Sequence, residues 1–391
     1  MDKIVFNDGV KIISYDDGII KEYSCDFYTR YLSNSIRQAE KDAIFHTGIG
    51  AEFRGDAIEN LKRNQLNENI RAEITDLFLT GENTLNYSLF INDLSAIYTK
   101  DLSVDKDSES HVIHDNGKIF KGACENNGKI ITTVSSDIVT SHLAIFDREI
   151  DDYNLITDGD CFDATPRFSA SDDNKVLFSS KGVGRDGNGN FIEYSPSSIY
   201  EYDLTFGDVK EIRSSKEFSY ILPKNDKFGN LYAIKKPLKE KKRSNILLDI
   251  LLIPYRLITA IYYFLESFTR SFTGKTFTEN SPYSNNPSKT KKGDERKIFI
   301  DGNEIYADRE YKNNLKHKDD FAGIIPRGYE LVKITENGDE VIKKGIISYE
   351  ILSDGTIVAS NGKYILKISN GKVEKLCNAN LATTISAIKK V

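Results

Sequence analysis

The chain of 391 residues has no Trp, one Met, five His, eight Pro and four Cys. Cys25, Cys124, Cys161 and Cys377 are far apart and form no CxxC pair, which argues against a disulfide framework and against a cysteine-based zinc ribbon. Free thiols in a reducing, cytoplasmic compartment are expected. The N-terminal MDKIVFNDGVKIISYDDG alternates as a strand does and lacks the apolar core of a secretory signal. Few Pro and 26 Gly exclude a low-complexity chain. A net charge of −6 argues against a general nucleic-acid binder, so no nucleic acid is expected among the partners.

Tyr and Phe are plentiful, at 21 each, and with Val, Ile and Thr they favour strands. The text repeats one phrase: a short apolar run, a turn rich in Asp, Asn or Gly, and another run. Residues 128–159, 164–212 and 346–376 show it clearly, with turns at Asp172-Asp173-Asn174, Asp354-Gly355 and Asn370-Gly371. Hairpin punctuation at this spacing marks an all-β sandwich, barrel or propeller. The phrases recur at roughly 40–50 residues, the period of four-stranded propeller blades. The expected fold is therefore an all-β β-propeller of six blades, with five or seven as alternatives, carrying an α-helical insertion. Blades are placed near 48–103, 109–157, 162–213, 217–237 continued at 328–344, and 346–377. A sixth joins the C-terminal ATTISAIKKV to the strands at 3–23, closing the ring and removing open edges. Residues 25–45 fit a helix or a strand equally well. The organisation reads as N-terminal blades at 1–237, an insertion at 238–297, and the end of the insertion with the closing blades at 298–391.

The stretch DATPRFSASDDNKVLFSSKG at 163–182, followed by SIYEYDL at 198–204, resembles the repeat of TolB-type (WD40-like) propellers, and 141–159 resembles the end of a preceding blade. Phe168 stands where that repeat has Trp, and Asp173-Asn174 where it has Asp-Gly. The resemblance implies a fold; it assigns no activity, because propellers host many unrelated functions.

One segment breaks the pattern. Residues 239–297 hold twelve Lys or Arg against six Asp or Glu, a local +6 on a body that is −12 elsewhere. Between Ile246 and Phe272 the text is mostly aliphatic or aromatic, and at 100° per residue Asp249, Arg256, Thr259, Glu266, Ser267 and Arg270 gather on one arc. The length approaches a membrane span, but three interior charges at about 2.5–3.5 kcal/mol each argue against spanning. Leaving some ten large side chains wet is also untenable, at roughly 1.5–3 kcal/mol each. A cover is expected: the propeller itself, an anionic membrane surface contacted peripherally, or a protein partner, including a second copy in a homo-oligomer. The candidate contact residues are Lys239, Lys241, Lys242 and Arg243 for headgroups or acidic groups, and Leu247, Leu251, Ile258, Ile261, Phe264, Leu265 and Phe268 on the apolar face. Residues 278–297 read as a flexible linker, and KIFIDGNEIYAD at 297–308 reads as strands belonging to the insertion.

Catalytic and cofactor patterns are weak. TGKT at 273–276 lacks the earlier Gly of a phosphate loop, Thr269 standing in its place. GRDGNGN at 184–190 puts Asp186, Asn188 and Asn190 at alternate positions, but Phe191 and Ser197 fall out of register for a calcium loop, and a hairpin tip is the better reading. His111 and His114 are expected to face opposite ways in a strand. No GxSxG elbow is present. No cofactor, metal or catalytic residue is assigned. The expected function is a non-enzymatic scaffold for protein interaction, with the insertion as a membrane-surface or partner element. The alternative is a carbohydrate-active hydrolase or lyase using paired carboxylates on the central axis.

Overall fold

The computed structural model describes residues 2–46, 70–104, 108–147, 152–238, 297–300, 303–317 and 320–389. Six antiparallel sheets of four principal strands follow one another along the chain. Blade 1 is Ala72–Leu79, Thr84–Ile91, Leu94–Asp101 and Glu109–Asn116; blade 2 is Ile119–Asn126, Lys129–Ser135, His142–Asp147 and Asn154–Leu155. Blade 3 is Cys161–Phe168, Lys175–Arg185, Ser198–Asp203 and Val209–Arg213, with Phe191–Tyr194 folded back on the long second strand. Blade 4 is Phe218–Asn225, Leu231–Pro237, Glu330–Thr335 and Gly338–Lys344; blade 5 is Ser348–Ile351, Ile357–Ser360, Tyr364–Ser369 and Lys372–Asn378.

Blade 6 closes the ring. Its inner strand is the C-terminal Ile385–Lys389, paired to Asp2–Asp8, then Lys11–Asp16 and Ile19–Ser24. The first strand of each blade lies against the first strand of the next, and the sixth returns to the first. The protein is a six-bladed β-propeller.

Local chemistry explains the hairpins. Asp17-Gly18, Asn127-Gly128 and Asn370-Gly371 place both turn residues at positive φ, the type I′ geometry whose twist matches the flanking strands. Apolar side chains leave both faces of the strands, as Ile4, Val5 and Phe6 do in succession, and pack between blades. Ile97, Phe120, Ile130 and Phe146 join blade 1 to blade 2, and Ile199, Tyr220, Ala233 and Val332 join blade 3 to blade 4.

The segment left open at 25–45 is a helix, α1 (Asp26–His46). Its start is fixed by a buried polar knot. The Glu109 carboxylate accepts the free amide protons of Asp26 and Phe27 at 2.6 and 2.9 Å, a cap supplied from blade 1. Lys100, wholly buried, sits between Asp26 and Glu109 at 2.9 and 3.4 Å. Phe27 stacks on Tyr98, which stacks on Tyr87.

One early blade boundary differs from the spacing-based expectation. The first described strand of blade 1 is Ala72–Leu79, the stretch near 48 lying outside the described residues, and Glu109–Asn116 completes that blade rather than opening blade 2. The cause is the Asn116-Gly117-Lys118 connection, which crosses between blades yet is as short as a hairpin turn. Residues 297–306 do form strands apart from the blades: Lys297–Ile300 pairs only with Asn303–Tyr306. A second helix, α2 (Ala307–Lys316), follows. Ile298, Ile305 and Ala307 pack with Ile324, Ile346 and Ile347, and Asn314 donates to the Gly323 and Ile325 carbonyls. Among the described residues no helix is long and apolar enough to cross a membrane.

The connections define two faces. Turns between first and second strands, and between third and fourth, share the lower face. The remaining connections and the blade crossings share the upper one. The chain leaves blade 4 at Pro237 and returns at Glu330 on the upper face.

Candidate functional site

The inner strands surround a funnel of about 180 Å³, lined from every blade by residues including Glu73, Asp76, Lys121, Arg167, Lys224 and Tyr349. β-bulges shape it. The register shifts between Ile74 and Asp76, Lys121 and Cys124, Ala164 and Arg167, and Ile221 and Lys224, so four inner strands bulge in turn. A bulge re-aims the next side chain. At Gly122 the bulge needs φ +136°, and a Cβ would lie 3.0 Å from the Thr132 Cα and 3.1 Å from Pro166, so only glycine fits.

The bulges deliver Asp76, Arg167 and Lys224, and Glu350 joins them from blade 5. Arg167 grips Asp76 with two hydrogen bonds of 2.6 Å, and the Ala123 amide adds a third to the same carboxylate. Burial works against the Arg167 charge, but Asp76 outweighs it and holds the guanidinium above its ordinary pKa. Lys224 donates to Glu350 at 2.8 Å and to the Tyr349 carbonyl at 2.7 Å. Burial pushes Lys224 below its usual range, with Glu350 pulling the other way. The Asp76 and Glu350 carboxylates are thus already engaged by cations within the wall.

The upper mouth is different. Phe162 and Lys181 are cross-strand partners in blade 3. The Lys181 ammonium lies 4.6 Å from the Phe162 ring centre and 4.0 Å from that of Tyr194, which the folded-back strand brings over. Lys121, from blade 2, lies 5.9 Å from the same Phe162 ring. Among the described residues, no carboxylate forms an ion pair with Lys121 or Lys181. Burial first, and Lys121 second, push Lys181 down to about 8. Burial also lowers Lys121, with Glu73 opposing and Arg71 adding to the effect. The Tyr194 hydroxyl donates to the Val139 carbonyl at 2.8 Å, tying this strand to the blade 2 loop. Around it, Ile138 is 88% exposed, Ile192 59% and Phe191 42%. Two cations with no ion-pairing carboxylate among the described residues thus sit on an aromatic floor with a greasy rim.

The patterns singled out in the sequence fall elsewhere. Lys239, Lys241, Lys242, Arg243, Leu247, Leu251, Ile258, Ile261, Phe264, Leu265 and Phe268, and TGKT with them, lie outside the described residues. Asp186 is a turn residue: its carboxylate accepts the Asn188 and Asn190 amides and the Asn190 side chain. Asp226 repeats the arrangement with Phe228 and Asn230. His111 and His114, expected on opposite faces, share one, with Nε2 and Nδ1 2.9 Å apart. A register shift opposite Ile97 and Tyr98 breaks the alternation that the expectation assumed.

Sequence reading assigned no metal ligand, yet His142, Cys161 and Asp163 converge, with one donor atom from each lying within 4.8 Å of the others. Burial, and Asp163 after it, push the Cys161 thiol up to about 12. Lys121, Phe162, Lys181 and Tyr194 were also missed, because they meet only when two blades and a folded-back strand assemble. The sole local signal was Phe162 flanked by two metal-type residues, the C-x-D of 161–163.

No protein-family model matches the chain, and no curated protein matches it. Among solved structures it is similar to TolB from Acinetobacter baumannii, at 11% identity and TM-score 0.49, covering 99% of this chain and 66% of that one. It is also similar to a putative TolB from Agrobacterium tumefaciens, at 10% identity and TM-score 0.40, covering 80% and 83%. An oligogalacturonate lyase from Vibrio parahaemolyticus matches at 11% identity and TM-score 0.36, covering 78% and 64%. The chain spans just under two thirds of the first of these. Likeness at this level concerns the fold alone. The class rests on the closed ring of six blades, the architecture implied by the TolB-type repeat at 141–204.

Proposed function

We propose that the protein is a non-enzymatic propeller scaffold that docks an acidic protein segment at the upper mouth of its funnel. The pair Lys121 and Lys181 carries this reading. Their ammonium groups share the Phe162 ring, have no ion-paired carboxylate among the described residues, and are held below their ordinary pKa. A carboxylate placed between them relieves both the mutual repulsion and the burial cost. Exposed Ile138 and Ile192 alongside favour a peptide with aliphatic side chains over a sugar, whose recognition draws on polar partners.

The test is fluorescence anisotropy with a labelled Glu-Leu repeat peptide and its Gln-Leu counterpart. Binding of the acidic peptide alone, weakened about tenfold (1.4 kcal/mol) by Lys181→Met, supports the reading. Equal affinity for both peptides, or an unchanged affinity in Lys181→Met, contradicts it.

The insertion at 238–297 keeps the role its sequence suggests, a membrane-surface or partner element with an apolar face in need of a cover. Deleting it should abolish co-sedimentation with anionic vesicles and leave the blades folded. The alternative of a carbohydrate-active enzyme gains no support from Asp76 or Glu350, since both carboxylates are paired with cations.

A further inference from the structure

We propose that His142, Cys161 and Asp163 form a binding site for one divalent metal ion of borderline softness, zinc before others. Three features of the chain build the site. Cys161 and Asp163 are two apart on the inner strand of blade 3, so their side chains leave the same side of it, opposite to Phe162. His142 begins the third strand of blade 2. It is held beside them by a bridge across the blades, in which the Ser141 amide donates to the Cys161 carbonyl at 3.1 Å and the Asp163 amide to the Ser141 carbonyl at 2.9 Å. The backbone fixes all three ligand positions without help from an ion.

The donor set and its spacing suit zinc. Sulfur, imidazole nitrogen and carboxylate oxygen are the three ligand types that zinc takes. Bond lengths of about 2.3 Å to sulfur and 2.0–2.1 Å to nitrogen, at a tetrahedral angle, separate those two atoms by about 3.5 Å. The Cys161 Sγ lies 3.7 Å from His142 Nδ1. Thr157 Oγ1 donates to Asp163 Oδ2, which orients the carboxylate and leaves Oδ1 for the ion, the kind of support that tunes ligating carboxylates. Asp163 is buried while His142 and Cys161 are half-buried, so an ion has a path in and the fourth position is left for water. Binding exchanges the thiol proton for the metal: Cys161–SH loses one proton to solvent as the S–metal bond forms. Among the described residues this is the sole group of three such ligands.

Cobalt(II) is the probe. Titrated into the metal-free full-length protein, it should bind one to one with a sulfur-to-metal charge-transfer band, release about one proton, and be displaced by zinc. Cys161→Ser should remove the band, and Cys161→Ser and His142→Gln should each weaken zinc by at least tenfold. Thr157→Val should weaken it about 10–100-fold while keeping the band. Thermal melts of each variant in EDTA, equal to the parent's, show that the fold is retained. A variant that melts early is replaced by Cys161→Ala or His142→Asn. The proposal is overturned if no band appears, if the band survives Cys161→Ser, or if changing His111 and His114 removes binding instead. These readouts use no peptide.

Discussion

Two sets of charges lie in and beside the same funnel and behave in opposite ways. In the wall, Asp76 with Arg167 and Lys224 with Glu350 are matched, so each charge is satisfied by another part of the protein; Asp76, Arg167 and Lys224 are buried beside bulges, and Glu350 is half-buried. At the mouth, Lys121 and Lys181 both lie over Phe162, with no ion-paired carboxylate among the described residues. Matched buried charges hold blades in register; unmatched charges on an open rim cost stability and are best explained by something that binds there. One funnel thus contains a brace and, in the reading proposed above, a docking mouth.

The comparison can be broken most severely in the wall. Arg167→Met leaves Asp76 buried with only the Ala123 amide, and should cost about 3–5 kcal/mol in denaturant unfolding. The pair Asp76→Leu with Arg167→Met should recover much of that, because no lone charge remains. If the single change costs under about 1 kcal/mol, the brace is not one.

At the mouth the sign reverses. Lys181→Met should leave stability unchanged or slightly higher at neutral pH, while acidic-peptide affinity falls about tenfold. The pH dependence follows from the depressed pKa. Between about 8 and the ordinary lysine value, the unfolded chain holds a proton on Lys181 that the folded one has lost. Stability contributed by this group therefore rises with pH across that window, and its penalty is fully present below it. Peptide binding runs the other way, strongest below pH 8 and fading above it as the ammonium is lost. Unfolding and anisotropy series from pH 7 to 10, on parent and Lys181→Met, check both signs.

A smaller effect sharpens the turn assignments. Asp226→Ala removes acceptors for two amides and the Asn230 side chain, and should cost about 1 kcal/mol. Asp186→Ala, at an exposed tip with the same pattern, should lower the melting temperature less. Adding calcium should leave the parent's melting temperature unchanged in both cases.

How far the sequence was legible follows from where information is local. Hairpin turns such as Asn370-Gly371 announce themselves, because left-handed backbone demands those residues. Ring closure by the terminal strands was readable from two orphan strand patterns at the chain ends. The boundary at 116–118 was not, since a crossing between blades and a turn within one use the same short polar text. The histidine pair was misjudged because a bulge leaves no mark in the sequence. The lysine mouth and the His142–Cys161–Asp163 cluster bring together residues far apart in sequence or on different blades, and no linear spacing encodes that.

The most direct measurement is the NMR titration of the Lys181 side-chain ε-carbon, assigned by comparison with Lys181→Met, with and without the Glu-Leu peptide. The account predicts a pKa near 8 in the free protein and a rise on adding the peptide. A midpoint at the ordinary lysine value, or one that the peptide leaves unmoved, would contradict it.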